Sequence, residues 1–367
     1  MKKILILSNS ASGLYEFRKE LIEDMKKTYE VHISLPEDSK DRYVESFAHE
    51  GCNVIHTPFE RRGMNPIKDY ALFREYKKLI RKIQPDIILT YTIKPNIYGG
   101  LAAKSMKIPY MTNITGLGTA ILGGGILSKA LIMLYKMATS DAKCIFFQNS
   151  SNMNYMQSHG VTGRGNIQLL PGSGVNLYEH PYAPYPSEGN GMEILSVMRI
   201  MKDKGIDELL EVIRAVDAGV HFTIAGYYEE ETRAIYEPQI KELEATGKLT
   251  YLGFVDDMNS IYARSHIIVH PSYHEGLSNV CLEAAACGRP VITTDIPGCR
   301  ETVCEESGAL CQPKSVDSLH DAFNKVLALS IKERETMGKA GRQHVEAHFD
   351  RKLVIDAYRK QLANVSL

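Results

Sequence analysis

Residues 266–295 read HIIVHPSYHEGLSNVCLEAAACGRPVITTD, and this stretch contains one full repeat of the pattern that determines the fold. An apolar run at 266–269 leads into a loop, a segment with helical spacing follows at 279–287, and a second apolar run occupies 291–294. Short apolar strands that alternate with helices are typical of a parallel sheet covered by helices on both faces. The stretch therefore predicts a doubly wound α/β unit.

The same alternation extends over the rest of the chain. Further strands are predicted at 4–7, 31–35, 53–56, 86–90, 110–113, 144–148, 168–170, 194–197, 221–224 and 249–252. Residues 178–191 (YEHPYAPYPSEGNG) are rich in Pro, Tyr and Gly and lack periodicity, which is typical of a linker. We therefore predict two doubly wound, Rossmann-like domains, at 1–182 and 192–349, facing a central cleft in which ligands bind. The periodicity leaves open whether a last helix, within 350–367, packs back on the first domain.

Length and composition agree with this reading. A chain of 367 residues with 44% hydrophobic and 24% charged residues is long enough for two ordinary globular domains. The seven cysteines form no CxxC pair and their number is odd, which favours reduced thiols in the cytosol over a disulfide framework. The longest apolar stretch, 123–138, contains Lys129 and Lys136, so we expect it to lie against a membrane at most.

The charge is unevenly distributed along the chain. Residues 1–182 contain 23 Lys and Arg against 16 Asp and Glu, whereas the remainder contains 20 against 28. Chance variation between two solvated surfaces is one explanation, and an anionic partner such as lipid headgroups or a lipid diphosphate is the other. The basic residues that favour the second explanation are Arg61, Arg62, Lys68, Arg74, Lys77, Lys78, Arg81 and Lys82. This pattern predicts peripheral association with the inner face of the cytoplasmic membrane, and no nucleic acid is expected as a partner.

The loop and helix at 270–287 contain the strongest candidate for a binding site. Glu275 lies in the loop after an apolar strand, and Glu283 follows on the helix. Gly276 permits close approach of a ligand, and Ser278 is suited to cap the helix, whose free N–H groups then form an anion site. A diphosphate fits such a site, with the carboxylates left to accept hydrogen bonds from sugar hydroxyls. A capped surface helix with ordinary glutamates is the simpler alternative.

A second candidate site follows the first strand of the second domain. The segment MRIMKDKG, residues 198–205, places Arg199 and Lys204 on either side of a turn that ends at Gly205. Two cations at the carboxyl end of a strand are suited to stabilise the charge of a departing pyrophosphate. One such cation alone would be read as ordinary surface charge.

Several motifs together resemble the family 4 retaining glycosyltransferases of the GT-B fold. In the second half these are Glu275 and Glu283 separated by seven residues, Arg199 with Lys204, the turn in TIAGYY (223–228) and the segment YLGFVDDM (251–258). In the first half they are TYTIKPNIYGGLAAK (90–104), IPYMTNITGLGTA (108–120) and LLPGSGVN (169–176). These first-half segments look like the bacterial subgroup that builds surface polysaccharide or glycan on undecaprenyl diphosphate.

The resemblance implies a role for each matching residue. Arg199 and Lys204 would hold the donor diphosphate, and Glu275 would contact the transferred sugar, so these three are the expected catalytic residues. The other expected donor contacts are Gly13, Gly226, Gly253, Phe254, Val255, Gly276, Leu277, Ser278, Asn279 and Glu283, of which Glu283 would contact the ribose. Lys94, Asn96 and Thr115 are expected on the acceptor or sugar side, and Thr115 stands where relatives often have histidine.

The implied reaction moves a hexose or N-acetylhexosamine from a nucleotide sugar to a polyprenyl-diphosphate-linked saccharide, with retention. The expected nucleotide of the donor is UDP. No cofactor and no metal are expected, because the spacing of His266, His270 and His274 on a strand and loop does not bring the rings together. Two rival functions stay open: a nucleotide-sugar epimerase of the same architecture, and a non-catalytic sugar-nucleotide-binding subunit. The epimerase would need no acceptor, and the subunit would tolerate loss of Glu275.

Overall fold

The computed structural model describes residues 1–36, 42–60, 63, 65–187, 189 and 191–365. The chain divides into two compact units, one formed by residues 1–173 with 352–367 and the other by residues 174–351. Each unit is built on a parallel β-sheet with helices on both faces, as the alternation of apolar runs predicts.

The first unit contains a seven-stranded sheet in which the strand order is β3-β2-β1-β4-β5-β6-β7. Its strands are β1 Lys2–Leu7, β2 Tyr29–Pro36, β3 Asn53–Thr57, β4 Ile87–Tyr91, β5 Tyr110–Ile114, β6 Cys144–Phe147 and β7 Asn166–Leu169. Its helices are α1 Ala11–Lys26, α2 Arg42–His49, α3 Pro66–Ile83, α4 Gly100–Ser105, α5 Gly118–Leu122, α6 Gly125–Thr139 and α7 Ser150–Ser158. A π-helical turn, Pro95–Gly99, precedes α4. All seven strands predicted for this half are confirmed.

The two faces of this sheet bury two separate apolar clusters, because successive side chains of a strand point to opposite faces. Ile4 and Ile6 contribute to one cluster, and Leu5 and Leu7 contribute to the other. Helices α3, α5 and α6 all pack on the face of Leu5 and Leu7. Among the helices that the structure describes, none is long and apolar enough to cross a membrane.

The second unit contains a six-stranded sheet with the order β10-β9-β8-β11-β12-β13. Its strands are β8 Met192–Val197, β9 Val220–Ala225, β10 Leu249–Gly253, β11 Ile267–His270, β12 Val291–Thr294 and β13 Gly308–Cys311. Its helices are α8 Ile206–Ala215, α9 Glu230–Ala245, α10 Met258–Arg264, α11 Asn279–Ala286, α12 Val316–Leu327 and α13 Ile331–His348. The short edge strand β13 is the one that the sequence pattern did not predict.

The predicted linker packs on the second unit, so the division of the chain differs from the predicted boundary at 182. Arg289 is completely buried, and its guanidinium donates to the carbonyl oxygens of Ala183 at 3.1 Å and Pro184 at 2.9 Å. Arg342 donates in the same way to the carbonyl of His180 at 3.0 Å. These bonds satisfy backbone carbonyls that lack strand partners, and they hold residues 180–184 against the second unit although these residues form no helix or strand.

The last helix, α14 (Arg351–Val365), packs on the first unit and answers the question that the periodicity left open. The ring of Tyr358 stacks on Phe146, with 4.2 Å between the ring centres. The amide of Asn113 donates to the Tyr358 hydroxyl at 2.7 Å, and Arg359 forms an ion pair with Asp24 at 2.6 Å. The chain therefore returns to the first sheet after completing the second.

Candidate active site

The two loops that hold the predicted catalytic residues are neighbours because β8 and β11 pair directly in the second sheet. This is the point at which the strand order reverses, and ligands of doubly wound sheets bind there, at the carboxyl ends of the strands. The loop after β8 contains Lys204, and the loop after β11 contains Glu275. The Lys204 Nζ lies 2.5 Å from the Glu275 Oε1, and both side chains are only 16% exposed.

Gly205 allows the turn that contains Lys204 to lie against the loop after β11. Its φ is +73°, and a Cβ at this position would lie 2.1 Å from the carbonyl oxygen of Pro271. The backbone N–H of Tyr273 also donates to the carbonyl of Asp203 at 2.9 Å. The two loops are thus joined through their backbones, and the position of the Lys204 ammonium beside Glu275 follows from that contact.

Glu275 is ionised over the whole neutral range. Burial acts to raise the pKa of this carboxyl, but the hydrogen bond with His270 and the charge of Lys204 outweigh it and lower the pKa to about 2. The His270 Nε2 lies 3.1 Å from the same Oε1 atom, and an ionised carboxylate can only accept, so Nε2 carries a proton. The sequence analysis gave His270 no contact with Glu275, and its position at the end of β11 was the available signal.

Arg199 is paired with a second carboxylate that the sequence analysis did not assign. Its Nη1 donates to the Glu229 Oε1 at 2.5 Å. The loops after β8 and β9 meet at Gly226, where a Cβ would lie 1.8 Å from the carbonyl oxygen of Met198. Glu229 stands among three consecutive glutamates at the start of α9, which read as ordinary helix-terminal charge.

Ser278 caps the start of α11, as the sequence predicts. The Ser278 hydroxyl accepts from the N–H of Cys281 at 3.3 Å and so caps the helix. A Cβ on Gly298 would lie 2.7 Å from the carbonyl oxygen of Glu275, so this glycine permits the tight packing of the loop. Leu277 is buried, whereas Gly276 and Asn279 are half-buried at the surface of the loop and the first helical turn. On the same helix, Glu283 accepts a hydrogen bond from the Tyr262 hydroxyl at 3.1 Å.

The residues expected beside the base form a neighbouring group at the ends of β9 and β10. The N–H of Gly226 donates to the carbonyl of Gly253 at 2.8 Å. Gly253 has a φ of +66° and open space around it, and the ring of Phe254 beside it is 60% exposed. Val255 is half-buried. An exposed aromatic ring next to an open turn is a suitable surface for stacking a planar base.

The four expected residues of the first unit occupy different environments. Gly13 lies in the first turn of α1 rather than in a loop, because the Ser10 hydroxyl caps that helix by accepting from the Gly13 N–H at 3.0 Å. The Lys94 ammonium pairs with Asp69 at 3.0 Å in a nearly buried contact. Asn96 is fully buried and donates to the carbonyl of Asn113 at 2.9 Å, which makes it a support for the strand ends. Thr115 is half-buried just after β5.

The three histidines at 266, 270 and 274 have separate partners. The Nδ1 of His266 accepts from the backbone N–H of Glu193 at 3.0 Å, His270 contacts Glu275, and His274 is exposed. In the described ranges, no group of three or more His, Cys, Asp or Glu side chains is arranged to hold a metal ion.

Comparison with known families agrees with this division of the chain. Residues 3–149 match the family described as "Glycosyl transferase 4-like", and residues 183–344 match "Glycosyl transferases group 1". The first match lies within the first unit and the second within the second unit.

Two bacterial proteins are similar over nearly their whole length. One is the N,N'-diacetylbacillosaminyl-diphospho-undecaprenol alpha-1,3-N-acetylgalactosaminyltransferase of Campylobacter jejuni, 27% identical over 98% of this chain and 97% of that protein. The other is the capsular polysaccharide biosynthesis glycosyltransferase CapM of Staphylococcus aureus, 26% identical over 96% of this chain and 94% of that protein.

Solved structures of glycosyltransferases share the fold. Sucrose-phosphate synthase of Thermosynechococcus elongatus superposes with a TM-score of 0.82 at 20% identity, over 99% of this chain and 100% of that one. HepE of Anabaena, solved in complex with UDP-glucose, superposes with a TM-score of 0.81 at 17% identity over the same shares. The expected GT-B fold of two doubly wound domains is confirmed.

Proposed function

We propose that this chain, a glycosyltransferase with a "Glycosyl transferase 4-like" match at 3–149 and a "Glycosyl transferases group 1" match at 183–344, transfers a hexose or N-acetylhexosamine from a nucleoside diphosphate with retention. The observation that carries this proposal is the 2.5 Å contact between Lys204 and Glu275 at the switch point of the second sheet. The contact puts a cation suited to a leaving diphosphate beside an ionised carboxylate suited to sugar hydroxyls.

In the proposed reaction, the bond between the anomeric carbon and the diphosphate oxygen breaks while the acceptor hydroxyl forms a bond on the same face of the sugar. The electron pair of the broken bond stays on the diphosphate, where Arg199 and Lys204 compensate for the charge. The proton of the acceptor hydroxyl passes to the departing diphosphate oxygen. No side chain needs to act as a nucleophile, and Glu275 accepts hydrogen bonds from the sugar.

The donor is proposed to lie along the loops after β8, β9, β10 and β11. The N–H groups at the start of α11 and the two cations face its diphosphate, Glu283 accepts from the ribose, and Phe254 stacks on the base. Gly253 leaves open space beside this path, and Gly226 allows the loops after β8 and β9 to meet closely. We propose UDP as the nucleotide, with GDP and ADP as the comparisons in the test.

The acceptor is proposed to be a saccharide on a polyprenyl diphosphate, in the assembly of a surface polysaccharide or glycan. Support comes from the names of the two similar bacterial proteins, one of which acts on a diphospho-undecaprenol and the other in capsule synthesis. Lys94 and Thr115, at the ends of β4 and β5, are the proposed acceptor-side residues of the first unit.

We further propose that the enzyme works peripherally at the inner face of the cytoplasmic membrane, through α6 and α3. Ile126, Met133 and Met137 are 89%, 59% and 48% exposed and fall on one side of α6. The exposed Lys129 and Lys136 lie on the same helix. An amphipathic helix of this kind can lie in the plane of the interface, with its lysines near anionic headgroups.

Acceptor dependence tests the proposed function. Purified protein is incubated with UDP-, GDP- and ADP-sugars, with and without a lipid-diphosphate saccharide, and products are followed by mass spectrometry. We expect a product one sugar larger only when the acceptor is present, and none with Glu275→Gln, whereas Glu306→Gln, a change at an exposed position, keeps activity. A changed nucleotide sugar without acceptor would establish the epimerase instead. Unaltered product formation by Glu275→Gln would contradict the role given to Glu275. Absence of any product with the wild type, although a nucleotide sugar binds, would establish the non-catalytic subunit.

A further inference from the structure

Both cations assigned to the donor diphosphate already contact a carboxylate in the protein itself. Lys204 contacts Glu275, and Arg199 contacts Glu229, each with 2.5 Å between nitrogen and oxygen. Glu275 has a proposed role toward the transferred sugar. Glu229 has none in the reaction so far, although it neutralises one of the two charges that the leaving group needs.

The position of Glu229 beside Arg199 is determined by the backbone. The N–H of Ile200 donates to the carbonyl of Tyr227 at 2.9 Å, which joins the loop after β8 to the loop after β9. The Thr232 hydroxyl, in the first turn of α9, donates to the carbonyl of Ile200 at 2.8 Å. Glu229 immediately precedes α9 and lies between Tyr227 and Thr232, the two residues that make these bonds. The bonds therefore hold the Glu229 carboxylate beside the Arg199 guanidinium.

The exposure of the two side chains differs in a way that matters for a ligand. The Arg199 side chain is 40% exposed, whereas that of Glu229 is 19% exposed. A solute can therefore reach the guanidinium while the carboxylate is largely covered. A diphosphate that uses the planar fork of the guanidinium takes N–H groups that the carboxylate now holds, and it brings its negative charge close to that of Glu229.

We propose that Glu229 competes with the nucleoside diphosphate for Arg199 and thereby weakens binding of the leaving group, which speeds its release after transfer. This inference rests on the proposed function, because it requires a diphosphate at Arg199. Glu229 does not touch the reacting atoms, and it acts through the guanidinium that does. The Glu229 carboxylate thus lowers the affinity for the nucleoside diphosphate product and raises the rate at which the enzyme turns over.

Isothermal titration of the full chain with UDP, GDP and ADP tests the competition. For the diphosphate that binds, Glu229→Gln should bind about fivefold more tightly than the wild type, the order expected when a partly exposed ion pair no longer has to be broken. Affinity for the corresponding nucleoside, which lacks the phosphates, should not change. Glu230→Gln is the matched control, since it removes a glutamate at the next position, whose side chain is 90% exposed.

A double-mutant cycle makes the effect specific to the cation. In an Arg199→Ala background, Glu229→Gln should change diphosphate affinity much less than it does in the wild-type background, because the carboxylate then no longer holds a cation that the diphosphate uses. If Glu229→Gln does not fold, as judged by its melting curve, Glu229→Asp shortens the side chain by one methylene and should tighten binding in the same direction. Steady-state product inhibition by the diphosphate should strengthen by the same factor as the affinity.

The outcomes separate the inference from the proposed function. Absence of binding of all three diphosphates to the wild type would contradict the proposed function itself. Binding to the wild type with equal or weaker binding to Glu229→Gln would overturn the competition and leave the transferase assignment intact. Tightening that is equally large for the nucleoside, or that is undiminished in the Arg199→Ala background, would also overturn it.

Discussion

Glu275 is the residue on which the electrostatics of the candidate site depend. It is held from one side by the charged Lys204 and from another by the imidazole of His270, and both contacts are made to the same oxygen, Oε1. In the proposed complex, the second carboxylate oxygen accepts hydrogen bonds from the bound sugar. At this scale, charge and hydrogen bonding determine what each substitution does, and two predictions follow from them.

Replacing either cation should remove most of the catalytic rate without unfolding the protein. Arg199→Ala and Lys204→Ala should each lower kcat by about 100- to 1000-fold, as is typical when one preorganised charge is lost from a site. Turnover is measured with the lipid-diphosphate acceptor, and melting curves report on the fold. Near-normal rates in both variants would mean that the diphosphate binds elsewhere.

Loss of the His270 hydrogen bond should alter the pH dependence of the reaction. In the folded protein the pKa of Glu275 is lowered from the ordinary 4.5 to about 2, so the carboxylate is ionised at every usual assay pH. In His270→Leu, whose side chain cannot donate, the pKa of Glu275 should rise toward its ordinary value, and kcat/KM should begin to fall at a higher pH on the acid side. The stability that Glu275 contributes is present above pH 4.5 and is lost as the pH falls toward 2, so the free energy of unfolding of His270→Leu should depend less on pH in this range.

The matched control for that variant is His266→Leu. His266 is equally buried and precedes the same strand, but it contacts the backbone of Glu193 at the opposite end of β11. Its substitution should lower stability without moving the acid limb. A shift of the same size in both variants would show that the acid limb reports on folding and not on Glu275.

At the scale of elements, close contacts between loops bring the cations and carboxylates together. The turn before α8 fits against the loop after β11 only because Gly205 has no Cβ. Gly205→Ala should therefore displace Lys204, and a variant that still folds, as judged by its melting curve, should have a much lower kcat than the wild type. Gly247→Ala is the control, because Gly247 also has a positive φ, of +76°, but no atom lies within 4 Å of its missing Cβ. The control should cost roughly 1 kcal/mol of stability and keep its activity.

Helices α3 and α6 share one face of the first sheet, since Tyr76 and Tyr135 are buried in the same apolar cluster. The exposed basic residues of α3 therefore belong to the same helical layer as the apolar side of α6. Arg61 and Arg62, which the sequence analysis grouped with them, lie outside the described residues. We expect the protein to float with vesicles that contain anionic lipid, and to be released as salt rises.

Neutralising Lys78, Arg81 and Lys82 should abolish this flotation, because each basic residue near an anionic surface contributes about 1 kcal/mol. A control variant neutralises three exposed lysines of the second unit, Lys241, Lys325 and Lys339, and removes the same amount of charge. That control should still float. Equal recovery with neutral vesicles, or loss in both variants alike, would contradict a specific membrane surface on α3 and α6.

For the whole molecule, the charge of the donor has to be met by the protein alone if the proposed mechanism holds. Arg199, Lys204 and the N–H groups at the start of α11 are the proposed counter-charges. Activity should therefore persist after dialysis against EDTA and in its excess. Complete loss of activity that added magnesium or manganese restores would contradict this account of the leaving group.

The local pattern of the chain was sufficient for the architecture of each unit. Period and length of the apolar runs predicted the strands, because a strand buried on both faces needs a short, continuous apolar run. Local chemistry also placed Ser278 as a helix cap. The edge strand β13 was not predicted, because it has four residues and only its last, Cys311, is fully buried.

Only the tertiary structure decided which distant residues meet. Lys204 and Glu275 are 71 positions apart in the sequence. They touch because β8 has β9 on one side and β11 on the other, whereas β10 lies beyond β9 at the edge of the sheet. The tertiary structure likewise decided that His270 contacts Glu275 and that Glu229 contacts Arg199. It also decided the docking of 180–185 on Arg289 and Arg342 and the return of α14 to the first sheet. The physical reason is that periodicity records which side of an element is buried, whereas the neighbour across a sheet depends on non-local pairing that no single segment encodes.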